Sequence, residues 1–254
     1  MMELLKDKVA IITGGAAGIG KSTAALFLKE GASVMLVDIN KEKLESTSKE
    51  LNSSHLDYCV ADVSNPADVE RYTAETLSKF GKINLFFNNA GIEGASSSIE
   101  DYPNDVFDKV IAVNLKGIWY GCKYVIPKMV EGGSVIITSS VAGLKGFKGL
   151  GAYVTSKHAV IGIMRVSALE FADRKIRVNT IHPGPVNTQM MRRIETDISP
   201  DNSAEVQKGF EAIVPYGRYA EALEISNLVL YLASDESKYV NGSTYVIDGG
   251  LMAG

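Results

Sequence analysis

The sequence predicts a doubly wound α/β domain: a seven-stranded parallel sheet flanked by helices. Three observations predict it. Short apolar, β-branched runs alternate with longer amphipathic stretches along the whole chain. The apolar runs are hydrophobic throughout, as strands covered on both faces must be, rather than alternating in and out. A glycine-rich segment closes the first run and opens the first amphipathic stretch, which sets a helix N-terminus at the carboxyl end of a strand.

In chain order, residues 9–13 (Val-Ala-Ile-Ile-Thr) read as a strand and 18–30 as a helix. Residues 33–38 (Ser-Val-Met-Leu-Val-Asp) are a strand and 41–51 a helix; 55–61 a strand and 66–80 a helix. A strand at 83–88 precedes a helix within 103–130, and a strand at 134–139 precedes a long helix at 151–172. After a strand at 177–181 come an irregular region, a helix near 220–233 and a last strand at 244–248. Strands separated by helices imply right-handed crossovers and a parallel sheet. With no linker or composition break, residues 1–254 read as one domain. Its one stretch of weak period, 187–219, is rich in Met, Arg, Glu and Ser. A segment of that length in a compact domain is expected to be functional or mobile, and we read about 189–215 as a substrate loop.

The 254 residues are 46% apolar and 22% charged, so a core of useful size is available. A net charge of −4 with interspersed signs gives no general affinity for nucleic acid or an anionic membrane. Cys59 and Cys122 are too far apart for a disulfide framework or a metal-ligand spacing, and no histidine has a ligand partner nearby, so no metal is expected. Residues 1–8 lack the pattern of a secretory leader, and no stretch approaches a membrane span, which reads as a cytoplasmic protein.

The segment Thr13-Gly14-Gly15-Ala16-Ala17-Gly18-Ile19-Gly20 suits a pyrophosphate. Glycine allows a tight turn and close backbone approach, and the helix that follows offers free N–H groups and a positive dipole end. Asp38 ends the second strand, 18 residues after Gly20. An acid there accepts hydrogen bonds from a ribose diol and repels a 2′-phosphate; it also suits a helix cap. Ala17 and Ile39 are uncharged and no arginine is placed for a phosphate, so NAD is expected over NADP. Asp62-Val63 and Asn88-Asn89-Ala90-Gly91 close the third and fourth strands, on the edge where open α/β sheets bind ligands.

Tyr153 and Lys157 are four residues apart on an expected helix and share a face. Ser140 lies 13 residues before Tyr153, just past the fifth strand, and Asn114 lies within the preceding long helix. Carbonyl reduction needs a proton donor at oxygen and a hydride donor at carbon. A tyrosine near pKa 10 is a poor base at neutral pH; an adjacent ammonium stabilises its phenolate and is expected to lower that pKa. A serine hydroxyl can hold the substrate oxygen.

These motifs, in this order and spacing, resemble the short-chain dehydrogenase/reductase family: Thr-Gly-x-x-x-Gly-x-Gly at 13–20, Asn-Asn-Ala-Gly at 88–91, Asn114, Ser140 and Tyr-x-x-x-Lys at 153–157. Pro183-Gly184 with Thr188 resembles the family's nicotinamide-carboxamide segment, and Asp248-Gly249-Gly250 its C-terminal strand end. The resemblance spans Lys8 to Gly250 and implies a Rossmann-type fold, a nicotinamide cofactor and a homotetramer. It implies Tyr153 as general acid in reduction and base in oxidation. Lys157 would lower the tyrosine pKa and bind the nicotinamide ribose, Ser140 would orient substrate, and Asn114 would maintain a water-linked relay through Lys157. Cofactor contacts would come from Gly14, Ala17, Gly18, Ile19, Gly20, Asp38, Ile39, Asp62, Val63, Asn89, Ala90, Gly91, Tyr153, Lys157, Pro183, Gly184, Val186 and Thr188.

Relatives that reduce enoyl thioesters carry their tyrosine seven residues before the lysine; Leu150 stands there, which argues against C=C reduction. The expected reaction interconverts a secondary alcohol and a ketone. A 3-oxoacyl-carrier-protein reductase or a sugar dehydrogenase of the same family is the alternative; the first needs basic residues, for which Lys145, Lys148, Arg192 and Arg193 are candidates. A nucleotide-bound regulatory protein on the same fold would be free to lose Tyr153, Lys157 or Ser140. The substrate pocket is expected from 92–98, 141–150 and 190–215, with Phe147, Met190 and Met191 favouring a medium-sized apolar alcohol.

Overall fold

Residues rich in Val, Ile, Leu and Phe form seven strands, all paired in parallel. In chain order the computed structural model contains β1 (Val9–Thr13), α1 (Gly18–Lys29), β2 (Ser33–Asp38), α2 (Lys41–Leu51), β3 (Leu56–Val60), α3 (Pro66–Phe80) and β4 (Leu85–Asn88). It continues through α4 (Asn104–Val110), a π-helical segment Ile111–Lys116, α5 (Gly117–Tyr124), β5 (Ser134–Thr138), α6 (Gly151–Glu170) and β6 (Arg177–Pro183). It closes with α7 (Gln189–Ile198), α8 (Ser203–Ile213), α9 (Ala222–Ala233) and β7 (Thr244–Ile247). The structure describes residues 3–254; Met1 and Met2, the start of the stretch read above for a leader, lie outside them. No helix among the described residues is long and apolar enough to cross a membrane.

The strand order is β3-β2-β1-β4-β5-β6-β7. From β1 the sheet grows outward in both directions, so the connections leaving β1 and β4 diverge and open a crevice at their carboxyl ends. Successive side chains on a strand point to opposite faces. Ile11 therefore packs with Met35, Phe86 and Val135 on one side, while Ala10 and Ile12 pack with Leu36, Phe87 and Ile136 on the other. Both faces are covered, which is why β1, β4 and β5 are apolar at nearly every position. Each fully buried side chain of this size contributes about 1.5–3 kcal/mol.

Two expectations are corrected. The stretch 187–219 is not irregular: it holds α7 and α8, joined by a short turn. Its helical period is masked because the inward position Glu195 is a carboxylate. Glu195 is buried and accepts from Tyr219 Oη (2.8 Å) and Arg192 Nη1 (2.8 Å). An ionic contact stands where a periodic apolar residue would be sought.

The helix expected within 103–130 is broken into α4, a π-helical segment and α5. The segment is widened so that Gly117 N–H reaches Ala112 O, five residues back. Asn114 sits in it, fully buried, and its amide is bonded both ways to Ile92, from Ile92 N (2.8 Å) and to Ile92 O (2.8 Å). π-Segments of this kind recur at functional sites. Other boundaries differ only at their ends: β4 starts at Leu85 rather than 83, and β6 runs on to Pro183, which stands opposite Ile247 of β7.

Candidate active site

A cavity of about 470 Å³ runs along the carboxyl ends of the strands, from Asp38 and Ile39 past the glycine loop to Tyr153 and Lys157, then under α7 and α8. The turn from β1 to α1 needs glycine, as Gly14 and Gly20 show. Gly14 has φ +64°, a left-handed conformation, and a Cβ on Gly20 would overlap the Gly14 carbonyl. Ala17, the N-cap of α1, makes no side-chain cap bond, so the first-turn N–H groups stay available. Thr188, the N-cap of α7, is likewise uncapped by its side chain and lines the same cavity. Two helix N-termini therefore face the space where a pyrophosphate would lie.

Asp38 accepts from Ala16 N (3.2 Å) and Asn40 N (3.0 Å), so it ties the glycine loop to the end of β2 while still lining the cavity. Beside it Lys43 donates to Gln189 Oε1 (3.0 Å), linking α2 to α7 across the cavity mouth.

The centre is pinned by hydroxyls and one amide. Thr13 Oγ1 accepts from Asn89 N (2.9 Å) and Ala90 N (3.1 Å). Asn89 Nδ2 donates to Thr13 O (3.1 Å), and its Oδ1 accepts from Thr138 Oγ1 (3.0 Å). The ends of β1, β4 and β5 are thereby locked together. Lys157, 3% exposed, donates from Nζ to Thr138 O (2.8 Å) and lies 5.5 Å from the centre of the Tyr153 ring. Ser140 caps a short 3₁₀ turn, accepting from Ala142 N (3.1 Å).

Burial dominates the proton affinities. It pushes the Tyr153 phenol up to about 12; the Ser140 hydroxyl works against this and the Glu93 charge adds to it. Burial also brings the Lys157 ammonium down to about 8. The expectation that Lys157 lowers the tyrosine is therefore not met by the protein groups alone: both shifts follow from removing charge from water. His182 is fully buried between Ser140 O (2.9 Å, at Nδ1) and Thr180 Oγ1 (2.9 Å, at Nε2), and burial lowers its pKa. A neutral ring there holds the backbone of Ser140 in place.

Gly14, Ala17, Gly18, Ile19, Asp38, Ile39, Asn89, Ala90, Gly91, Ser140, Tyr153, Lys157, Pro183, Gly184, Val186 and Thr188 all line the one cavity. Gly20, Asp62, Val63 and Asn114 do not. Gly20 packs behind Gly14, Asp62 accepts from the Ser64 N–H (2.8 Å) and hydroxyl (2.7 Å), and Val63 packs against Gly117. Asn114 lies behind Gly91: a Cβ there would meet Asn114 Oδ1 at 3.3 Å and Lys157 Nζ at 3.4 Å. Thr13 lies in the glycine motif read from the sequence, and Glu93, Arg193 and Phe210 lie in its expected pocket stretches; sequence reasoning missed Thr138, which supports the site, and Lys43 and Leu251, which line it. The Thr138 hydroxyl at its strand end was open to notice; Lys43 and Leu251 had no motif to mark them.

The uncapped α1 terminus, the glycine cradle and Asp38 fit a dinucleotide, and with the buried tyrosine and lysine they define an oxidoreductase of the dinucleotide-binding class. The chain belongs to the short-chain dehydrogenase/reductase family. A family model described as Enoyl-(Acyl carrier protein) reductase matches residues 14–252. The chain is 40% identical to levodione reductase of Leifsonia aquatica, over 97% of this chain and 95% of the relative. It is 36% identical to cyclohexanol dehydrogenase of Acinetobacter sp. (strain SE19), over 98% and 96%, and 38% identical to a 3-oxoacyl-[acyl-carrier-protein] reductase of Thermotoga maritima, over 98% and 99%. A crystal structure of levodione reductase superposes with a TM-score of 0.95 at 39% identity, covering 98% of this chain and 99% of that one. The protein is an oxidoreductase acting on CH–OH donors with a nicotinamide cofactor.

Proposed function

We propose that the protein is an NAD(H)-dependent dehydrogenase of a medium-sized, largely apolar secondary alcohol, working reversibly on the ketone. The observation that carries this reading is the placement of Tyr153, Lys157 and Ser140 in one cavity with Asp38 and the glycine loop, where the space continues under α7 and α8. Tyr153 Oη gives its proton to the ketone oxygen in reduction and takes it back in oxidation. Ser140 Oγ holds that oxygen, and Lys157 supplies the positive charge against which a phenolate forms. Bound NAD(H) supplies or takes up the hydride and, when oxidised, adds a positive charge that helps bring the raised phenol pKa down. Asn114 spends its side chain on Ile92 and Ser156, so any relay through it runs by its main chain.

Gly14, Ala17, Gly18, Ile19, Ala90, Gly91, Pro183, Gly184, Val186 and Thr188 are the proposed cofactor contacts, with Asp62 and Val63 acting from the adjacent strand end. Asp38 supports NAD over NADP, since a 2′-phosphate would sit against its carboxylate while Lys43 is already bonded to Gln189. The names of the levodione and cyclohexanol relatives support a cyclic substrate. Leu150 argues against C=C reduction. Two of the basic residues that a carrier protein would use, Arg192 and Arg193, are bound to Glu195 and Glu93, which disfavours the acyl-carrier reading.

We read residues 1–254 as one cofactor-binding and catalytic domain, cytoplasmic, in which α7 and α8 close over substrate. Exposed apolar side chains on α5 and α6 (Trp119, Val166 and Leu169), on α9 (Leu223 and Tyr231) and on β7 (Val246) support a homotetramer. The test is a panel of secondary alcohols and ketones followed by nicotinamide absorbance with NAD(H) and NADP(H). The reading requires turnover of a cyclic alcohol with a higher kcat/KM for NAD; equal or better use of NADP would refute the cofactor choice.

A further inference from the structure

We propose that the Glu93–Arg193 ion pair is the specificity element of the substrate chamber, and that it selects an alcohol or ketone bearing a second, neutral oxygen remote from the reacting carbon. The inference rests on the proposed role of Tyr153. Five charged side chains line the cavity. Asp38 and Lys43 stand at the Ile39 end, and Lys157 stands beside Tyr153. Glu93 and Arg193 are the two left for the half covered by α7 and α8, where Met190, Met191, Ile194 and Phe210 offer no competing polar group.

The pair is built rather than incidental. Glu93, in the loop after β4, has a side chain only 14% exposed. Arg193 reaches it from α7, donating from Nε to Oε1 and from Nη2 to Oε2 (3.2 Å). Both residues also line a second depression of about 290 Å³ with Arg192, Thr196 and Asp197, so the pair forms the partition between the two spaces. Glu93 lies near enough to the reacting group that its charge is felt at the Tyr153 phenol.

The donor count fixes what the partition can recognise. A guanidinium donates and never accepts. Nε and Nη2 are used by Glu93, while Nη1 has no protein partner among the described residues. The Arg193 side chain is half-exposed and lines both spaces, so Nη1 is free to donate to an acceptor oxygen that enters the chamber. That oxygen is neutral, because Glu93 already balances Arg193: a substrate carboxylate would set a second negative charge against a mostly buried one. A ring carbonyl or hydroxyl takes the bond without that cost.

The experiment compares kcat/KM for cyclohexane-1,4-dione, cyclohexanone and 4-oxocyclohexanecarboxylate in the unmodified protein and in a Glu93→Gln/Arg193→Met double variant. The double change removes the guanidinium without stranding a buried carboxylate. The unmodified protein should favour the dione over cyclohexanone by about tenfold, as one added hydrogen bond to a charged donor predicts. That is beyond the factor of about two its paired carbonyls give by statistics. The ratio should fall to that statistical value in the double variant, and the carboxylate should rank below the dione. A ratio unchanged by the double variant, or a preference for the carboxylate, overturns the proposal. If the double variant fails to fold by circular dichroism, the unmodified protein still decides: equal use of dione and cyclohexanone overturns it. Equal use of all three ketones sinks this inference alone, whereas no turnover of any cyclic ketone or alcohol sinks the proposed reaction with it.

Discussion

At the β1–β4–β5 end of the cavity, the wall is held mostly by bonds between side chain and main chain, Thr13 to Asn89 and Ala90, Asn89 to Thr13, and Lys157 to Thr138, with one side-chain pair, Thr138 to Asn89. At the α7–α8 end, it is held mainly by side-chain pairs, Arg193–Glu93 and Arg192–Glu195, whose arginines stay partly in solvent. The first wall is fixed by the sheet itself. The second can be rebuilt by changing a few side chains, and its exposed pairs are each worth little in stability. The cofactor end is thus made for sameness and the substrate end for variation, and substitutions at the two ends should fail in different ways.

The largest effect is expected at the junction of the two. Lys157→Met keeps the length of the side chain and removes its charge. Turnover should fall by roughly two or more orders of magnitude, and NADH should bind more weakly by fluorescence titration. A kcat within tenfold of normal would detach Lys157 from the chemistry.

The pH dependence sharpens the same point. Burial raises the Tyr153 phenol, so it keeps its proton well past neutrality, whereas the lowered Lys157 ammonium is lost as pH rises through about 8. Reduction should therefore be flat on the acid side of that value and fall above it. The fall should be absent from the residual activity of Lys157→Met. Oxidation, which needs the phenolate, should rise with pH. A reduction rate that climbs through the same range contradicts the assignment.

Next in size is the adenine-ribose end. Asp38→Ala should lower kcat/KM for NAD by about tenfold, the effect of losing one good charged hydrogen bond, and narrow the gap to NADP. Because Asp38 also holds Ala16 N and Asn40 N, a small loss of melting temperature should accompany it.

The smallest effects separate the two walls most cleanly. Thr13→Val removes the acceptor of two main-chain N–H groups and should cost about 2 kcal/mol in denaturant unfolding, with weaker NADH binding. Glu195→Gln retains an acceptor for Tyr219 and should cost under about 1 kcal/mol. It should raise the KM for ketone and leave NADH affinity alone. If both variants move NADH affinity equally, the walls are not independent.

This contrast also decides what is legible in the sequence. The glycine loop, Asp38 and the Tyr153–Lys157 spacing are readable because they depend on backbone geometry and helical period, which local sequence dictates. The central strands are readable because coverage on both faces leaves few polar positions. α7 and α8 are not, since Glu195 occupies the inward position and their apolar residues face a cavity rather than a core. The π-segment is hidden too: its Asn114 amide pairs with Ile92, a contact 22 residues distant that local sequence does not announce. The direction of the Tyr153 shift escapes the sequence because helical spacing gives proximity to Lys157 but says nothing of burial.

The central claim is that Tyr153 carries the proton in a nicotinamide-dependent oxidation of a secondary alcohol. Its most direct test is the rate of NADH formation from NAD and cyclohexanol in the unmodified protein and in Tyr153→Phe, beside an NADH titration of each. The account predicts steady turnover in the first, a loss of roughly two or more orders of magnitude in the second, and the same NADH affinity in both. Near-normal turnover by Tyr153→Phe, with its fold and NADH binding intact, would place the proton carrier elsewhere and contradict the account.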